Sequence, residues 1–427
     1  MKKLVKTSIV ALLTCALAAC SAPADEPDPV PTPTPGTSKT VQIWLIRDGR
    51  EHDTRVLRKL RSEAARFDRV YVRVEMIPAD QIEARLQQAR AAGWSPDVVE
   101  MPSDRVIAVA REGQLFDLLP AVEDLGVQND QMIAMQRAAE YDGGLFGVPF
   151  SMTAPAMVYN KEIFAQAGIT QTPKTWDELV RAADLIKQAR PDIDPWPVST
   201  QVASSIYPFL LTTGDELANF DGQSWHSELA TPAAVDGLSR YASRVTASTA
   251  NQSSEQLATA IAQGRAGMAV LTSRDVREVL RVNPKMDTKL GVFAIPGTDG
   301  HAAPVIVDST HLVIPEGSDG KQYAWDIARR MSTSSFSIEW NQRQGGYAGM
   351  KSLLDQQIEN STSIEKPFAR PLVERGMPEP TSPAWRQIED QRVIPAMVEA
   401  VVSGQQSAQQ AAAQAAARIE QTLNDAK

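Results

Sequence analysis
The chain predicts an α/β fold of two lobes, each built on a doubly wound sheet. Two observations carry that expectation. Short runs that are apolar at nearly every position, as strands buried on both faces are, alternate with segments whose apolar residues recur at helical spacing. The part of the 427-residue chain able to form a core, from about Thr40 onward, is also too long for one typical core. No internal repeat relates one stretch to another.

The segment before Thr40 is of a different kind. Met1 to Lys6 is a positive n-region, and Ser8 to Ala19 is an apolar stretch too short to span a membrane, so 1–19 reads as a secretory signal. Leu17-Ala18-Ala19-Cys20 is similar to a lipobox, after which Cys20 becomes a lipidated N-terminus. Residues 20–39, rich in Pro, Asp and Thr, have almost nothing to bury and read as an extended tether. The expected setting is extracytoplasmic, anchored to the cell membrane through lipid alone. The two cysteines are Cys15 and Cys20, so the mature body holds no disulfide, thiol nucleophile or Cys-based zinc site. A net charge of -9 with no basic patch argues against a nucleic-acid partner.

The elements follow in order. Val41–Ile46 is an all-apolar strand, and Val56, Leu57, Leu60, Ala64 and Phe67 mark a helix over Asp53–Phe67. Val70–Ile77 is a second strand, Ala79–Ala92 a second helix and Asp97–Met101 a third strand, with Ser103 placed to cap the next helix. Asp142-Gly143-Gly144 carries turn chemistry before the apolar run Leu145–Phe150. Ala156–Tyr159 is a short strand. Asn160 then caps a helix that Gly168 closes, and Thr175 with Glu178 forms a capping box for another. Gly267–Thr272 and Leu290–Pro296 are strands, Val305–Pro315 a returning strand, and Lys321–Met331 an amphipathic helix. The tail from Trp385 to Leu423 is helical, broken at Ser403-Gly404.

In open parallel sheets ligands sit beyond the carboxyl ends of strands, where helix N-termini and loops converge. That rule selects Arg47-Asp48-Gly49, Ser103-Asp104-Arg105 and Ser273-Arg274-Asp275. Paired acidic and guanidinium groups suit sugar hydroxyls, which both donate and accept. Trp225 and Tyr207 are further aromatic candidates, whereas Trp44 and Trp176 read as packing. The four histidines, His52, His226, His301 and His311, lie in no GxSxG, HExxH or similar setting, so no catalytic residue is expected.

The succession GxxxGxP at Gly143–Pro149, YNKxxFxxAG at Tyr159–Gly168 and PxTWxEL at Pro173–Leu179 resembles the bacterial family-1 extracellular solute-binding proteins of sugar ABC importers, the maltose-binding type. Pro96–Leu118, Gln263–Leu271 and Arg343–Met350 extend the resemblance over nearly the whole mature chain. It implies a periplasmic-binding-protein-like (type II) fold with lobe 1 at 40–152 and 303–348, lobe 2 at 153–302 and 349–427, and a hinge of two or three crossing segments. It implies ligand contacts at Asp48, Asp104, Arg105, Thr153, Ser273, Arg274, Asp308, Ser309 and Tyr347, with Trp385 as a stacking platform. Met101 and Arg274 stand where maltodextrin binders carry two further rings, so a smaller or more polar solute is implied, such as a mono- or disaccharide. The expected partners are that solute and the permease subunits, with no cofactor or metal, the protein acting as a monomer. A non-sugar solute (glycerol phosphate or a polyamine) and a transport-free surface receptor are the alternatives.

Overall fold
The computed structural model describes residues 39–47, 54–65, 70–124, 128–131, 133–211, 216–246, 248–298 and 300–426. The signal segment, Cys20, most of the tether, Asp48 and His52 lie outside them. Strands β1 (Thr40–Arg47), β2 (Tyr71–Pro78) and β3 (Val98–Pro102) come first, followed by the hairpin β4 (Glu140–Tyr141) and β5 (Gly144–Leu145). Next are β6 (Val148–Thr153), β7 (Pro155–Asn160), and a second hairpin of β8 (Ala218–Phe220) and β9 (Trp225–Ser227). The remaining strands are β10 (Met268–Thr272), β11 (Leu290–Phe293), β12 (Val305–Ile306), β13 (Asp308–Val313), β14 (Tyr347–Ala348) and β15 (Gly376–Met377). Helices separate most of them, giving the two-lobed α/β plan.

One sheet has the order β14-β6-β13-β3-β1-β2 and the other β10-β7-β11. Neither is the uniformly parallel sheet that alternating strands and helices suggest. β1 pairs parallel with β2 and β3, but β13 lies antiparallel to both β3 and β6. In the second sheet β10 and β11 both run against β7. The cause is the path of the chain. β6 runs out of the first sheet at Thr153 and continues as β7 in the second. The chain returns at Asp308, which pairs with Thr153. A strand that starts where β3 and β6 end must run against them.

Local chemistry explains several joints. Asn160 accepts from the backbone N–H of Glu162 and Ile163 and starts the helix Lys161–Gln166. Thr175 caps the helix Trp176–Ala189 by accepting from Glu178 N. The reciprocal half of that box is displaced by one residue: Glu178 takes the N–H of Lys174. Asp142 and Gly143, both at positive φ, make the tight turn of the β4–β5 hairpin. Ser103 does not cap the helix Ser103–Arg111 that it begins. Its hydroxyl is drawn instead to Ser309 and His311.

Each sheet carries its own core. Ile43, Trp44, Leu45, Val99, Val106 and Leu312 are buried on the first. Met157, Trp176, Trp196, Phe209, Tyr241, Met268 and Trp385 pack together on the second. No described helix is long and apolar enough to cross a membrane.

Candidate functional site
A cavity of about 340 Å³ lies where the two sheets meet, at the lower end of the range usual for small-molecule sites. β3 delivers Ser103 and Asp104 from its carboxyl end, and β10 delivers Thr272. The crossings add Thr153 and Pro155 on the way out, then Ile306 to Ser309 on the way back. The helix Ala203–Leu210 contributes Ser204 and Tyr207, the segment Pro378–Ser382 forms another wall, and Glu389 enters from the helix Trp385–Asp390.

Of the residues chosen from sequence, the structure brings Asp104, Thr153, Asp308 and Ser309 together on this wall. Thr153 is fully buried, its hydroxyl 3.4 Å from Asp308 Oδ2. Arg274 stands behind them: Nη1 is 3.7 Å from Asp308 Oδ2 and Nη2 donates to Ser151 Oγ at 3.2 Å. Arg105 turns away from the cavity toward Glu83, at 2.8 Å, with Nε 3.5 Å from Asp104. Glu83 also holds Arg386, which joins the first sheet's helix Ile82–Ala91 to the helix Trp385–Asp390 at the rim.

Three of the expected contacts do not line this cavity in the present conformation. Trp385 is 1% exposed and packs in the second core, so it offers no free face for stacking. Its place at the start of a helix, after Ser382 and Ala384 that are themselves buried, turns the ring inward. Ser273 donates to the carbonyl of Gly345, and Tyr347 donates to the carbonyl of Glu365 at 2.9 Å. Both line a separate cavity of about 610 Å³ instead of the first one. Of the two further aromatic candidates, Tyr207 sits on the helix Ala203–Leu210 and lines the first cavity, while Trp225 packs against Phe220 in the β8–β9 hairpin.

Glu379 and Glu389 were not legible as site residues. Neither follows a strand that the apolar pattern reveals, since β15 is two residues long. Burial raises the Glu389 carboxyl well above the carboxylate range, and the neighbouring Glu379 and Asp104 push it in the same direction. Burial likewise raises Glu379, aided by Asp104, and raises Asp104 against the opposing pull of Arg105. Burial also lifts the Tyr207 phenol far above its ordinary value.

Behind the wall, His311 on β13 is fully buried. Its Nε2 lies 2.8 Å from the Met135 carbonyl and its Nδ1 2.8 Å from Ser103 Oγ, which is 2.6 Å from Ser309 Oγ. Desolvation lowers the imidazole to about 4, so it is neutral at pH 7. A neutral ring that donates from Nε2 must accept at Nδ1. Ser103 therefore donates to His311, and Ser309 donates to Ser103.

Comparison with known proteins agrees with the fold. The family profile described as bacterial extracellular solute-binding protein matches residues 54–330. The diacetylchitobiose binding protein DasA of Streptomyces coelicolor is 25% identical over 397 residues, covering 91% of each chain. Among solved structures, the sugar-binding protein MalE of Xanthomonas citri superposes with a TM-score of 0.77 at 21% identity, over 91% of this chain and 98% of that one. An ABC transporter solute-binding protein of Thermotoga lettingae, bound with α-D-tagatose, gives 0.75 at 22%, over 90% and 100%. The profile spans well over half of the chain, and the protein belongs to the bacterial extracellular solute-binding proteins, a family that binds solutes rather than transforming them.

Proposed function
We propose that the protein captures a sugar or small oligosaccharide in the cleft between its sheets and closes on it about the crossing strands. It then presents the closed form to the transmembrane subunits of an ABC importer, as a monomer held at the membrane by a lipid on Cys20. One observation carries the ligand class. The cavity wall holds hydroxyls (Ser103, Thr153, Ser204, Tyr207, Thr272, Ser309) beside the carboxyls of Asp104, Asp308, Glu379 and Glu389, and among the described residues no Lys or Arg. Such a set donates to and accepts from a polyhydroxylated solute, and it repels a phosphate. Relatives described as binding diacetylchitobiose and tagatose support the same reading.

Closure follows from differential contact. A solute seated on Asp104 and Ser309 gains Glu379, Glu389 and Tyr207 only when the lobes approach, so it favours the closed state by that difference. The test is a thermal-shift screen against a panel of mono- and disaccharides, followed by solution scattering with each compound that responds. A rise in midpoint together with a smaller radius of gyration supports the reading. A panel without any response, or tight binding without compaction, refutes it.

A further inference from the structure
The cavity is a site crowded with carboxyls and short of positive charge. Asp104 at the start of the helix Ser103–Arg111, Glu379 between Pro378 and Pro380, and Glu389 on the helix Trp385–Asp390 converge on it from three segments. Glu389 shares this small cavity with Asp104 and Glu379, which both raise its affinity for a proton. Carboxylates brought this close repel one another unless a proton or another cation lies among them. Trp385, almost wholly buried, faces Glu379 with its indole N–H within reach but without closing a well-formed hydrogen bond.

The neighbouring arginines do not supply the missing charge. Arg105 divides itself between Glu83 and Asp104, Arg386 between Glu83 and Asp390, and Arg274 between Asp308 and Ser151. None of the three lines the cavity. A metal ion does not fit either, since no grouping of three or more His, Cys, Asp or Glu among the described residues is arranged to hold one.

We infer that the solute carries a protonated amine, as an amino sugar or aminated polyol does, and that its ammonium is received among Asp104, Glu379 and Glu389 while its hydroxyls meet Ser309, Thr153 and Tyr207. This rests on the sugar reading above and narrows it. An ammonium offers up to three donors to three acceptors, an arrangement that a neutral hydroxyl cannot match. It also displaces the protons that the crowded carboxyls otherwise keep, so uptake of the amine releases protons. Affinity therefore rises with pH until the amine itself deprotonates. The titratable and charged groups facing the trio are the neutral phenol of Tyr207 from the helix Ala203–Leu210, Asp308 from β13, Arg105 and Glu83 beside Asp104, and Asp390 next to Glu389.

The experiment is isothermal titration of the intact protein with matched pairs: glucosamine against glucose, and 1-amino-1-deoxysorbitol against sorbitol, with putrescine as a diamine that is not a polyol. At near-neutral pH the aminated member of each pair is expected to bind about tenfold tighter or more, with that preference shrinking at acid pH. Glu379→Gln and Glu389→Gln should each reduce the preference, with a cooperative thermal unfolding transition retained to show that the fold survives. Equal or better binding of the neutral member, or no response to either aminated polyol at millimolar concentration, overturns the inference and leaves the sugar reading to its own screen. A preference that persists in the doubly substituted protein overturns it as well. A response to putrescine alone removes the sugar reading and the polyol half of this inference together.

Discussion
Lowering the pH from 7 to 5 should cost this fold stability through His311, and the magnitude can be worked out. The imidazole titrates at about 4 in the folded protein, below its ordinary 6.5, because burial disfavours the charged ring. Between those two values the unfolded chain binds the proton and the folded one does not. The contribution is therefore fully present above about pH 6.5, is lost as the pH falls, and levels off below about 4. Integrated from pH 7 to 5 the loss is about 2 kcal/mol, with a ceiling near ~3 kcal/mol. Asp104, Glu379 and Glu389 act in the opposite sense, since their raised values favour the folded state as the pH falls. The imidazole's share must be isolated by difference. Urea unfolding at both pH values should be run on the wild type and on His311→Gln, whose amide can still donate toward Met135 but does not titrate. The variant should be the weaker protein at pH 7, yet lose about 2 kcal/mol less than the wild type on acidification. Parallel pH profiles for the two proteins would refute the neutral-imidazole account, and with it the assigned donor order from Ser309 through Ser103 to His311.

Four further outcomes are expected. Asp308→Asn should weaken solute binding about tenfold with little change in unfolding midpoint, since its side chain is 63% exposed in the cleft; a large loss of stability with unchanged affinity in titration calorimetry would place it among structural residues. Arg386→Ala removes the contact with Glu83 across the rim and should lower solute affinity by about fivefold or less while enlarging the ligand-free radius of gyration in scattering. Gly237→Ala puts a Cβ 1.8 Å from the Phe209 carbonyl oxygen, so the helix that carries Ser204 and Tyr207 must shift, at a cost of about 1–3 kcal/mol in thermal unfolding; no loss would mean that this helix contact yields freely. Asn160→Ala leaves Glu162 N and Ile163 N without their acceptor and should cost about 0.5–2 kcal/mol in the same assay.

How much could be read beforehand depended on range. Where structure is set by neighbours a few residues apart, the residues spelled it out: the apolar runs of β1 and β3, the Asn160 cap, the Asp142-Gly143 turn and the closing glycine at 168 all depend on local sterics and backbone donors. The candidate site was half legible for the same reason. Asp104 follows a strand whose apolar pattern is plain, so the rule of strand ends finds it. Arg105 obeys that rule equally well, yet points to Glu83, because one residue along a helix turns a side chain by about 100°.

The sequence by itself determined the alternation of strands and helices, the lack of any cysteine after Cys20 and the motif order of a solute-binding family. Only the tertiary structure decided strand direction in the sheets, the inward turn of Trp385, and the meeting of Asp104 with Glu379 and Glu389. Asp104 lies more than 270 positions before the other two along the chain. Nothing in the local conformation of either region favours the encounter. It arises because the chain crosses between two packed sheets and returns, and the cost of bringing the charges together is met by the burial of both cores.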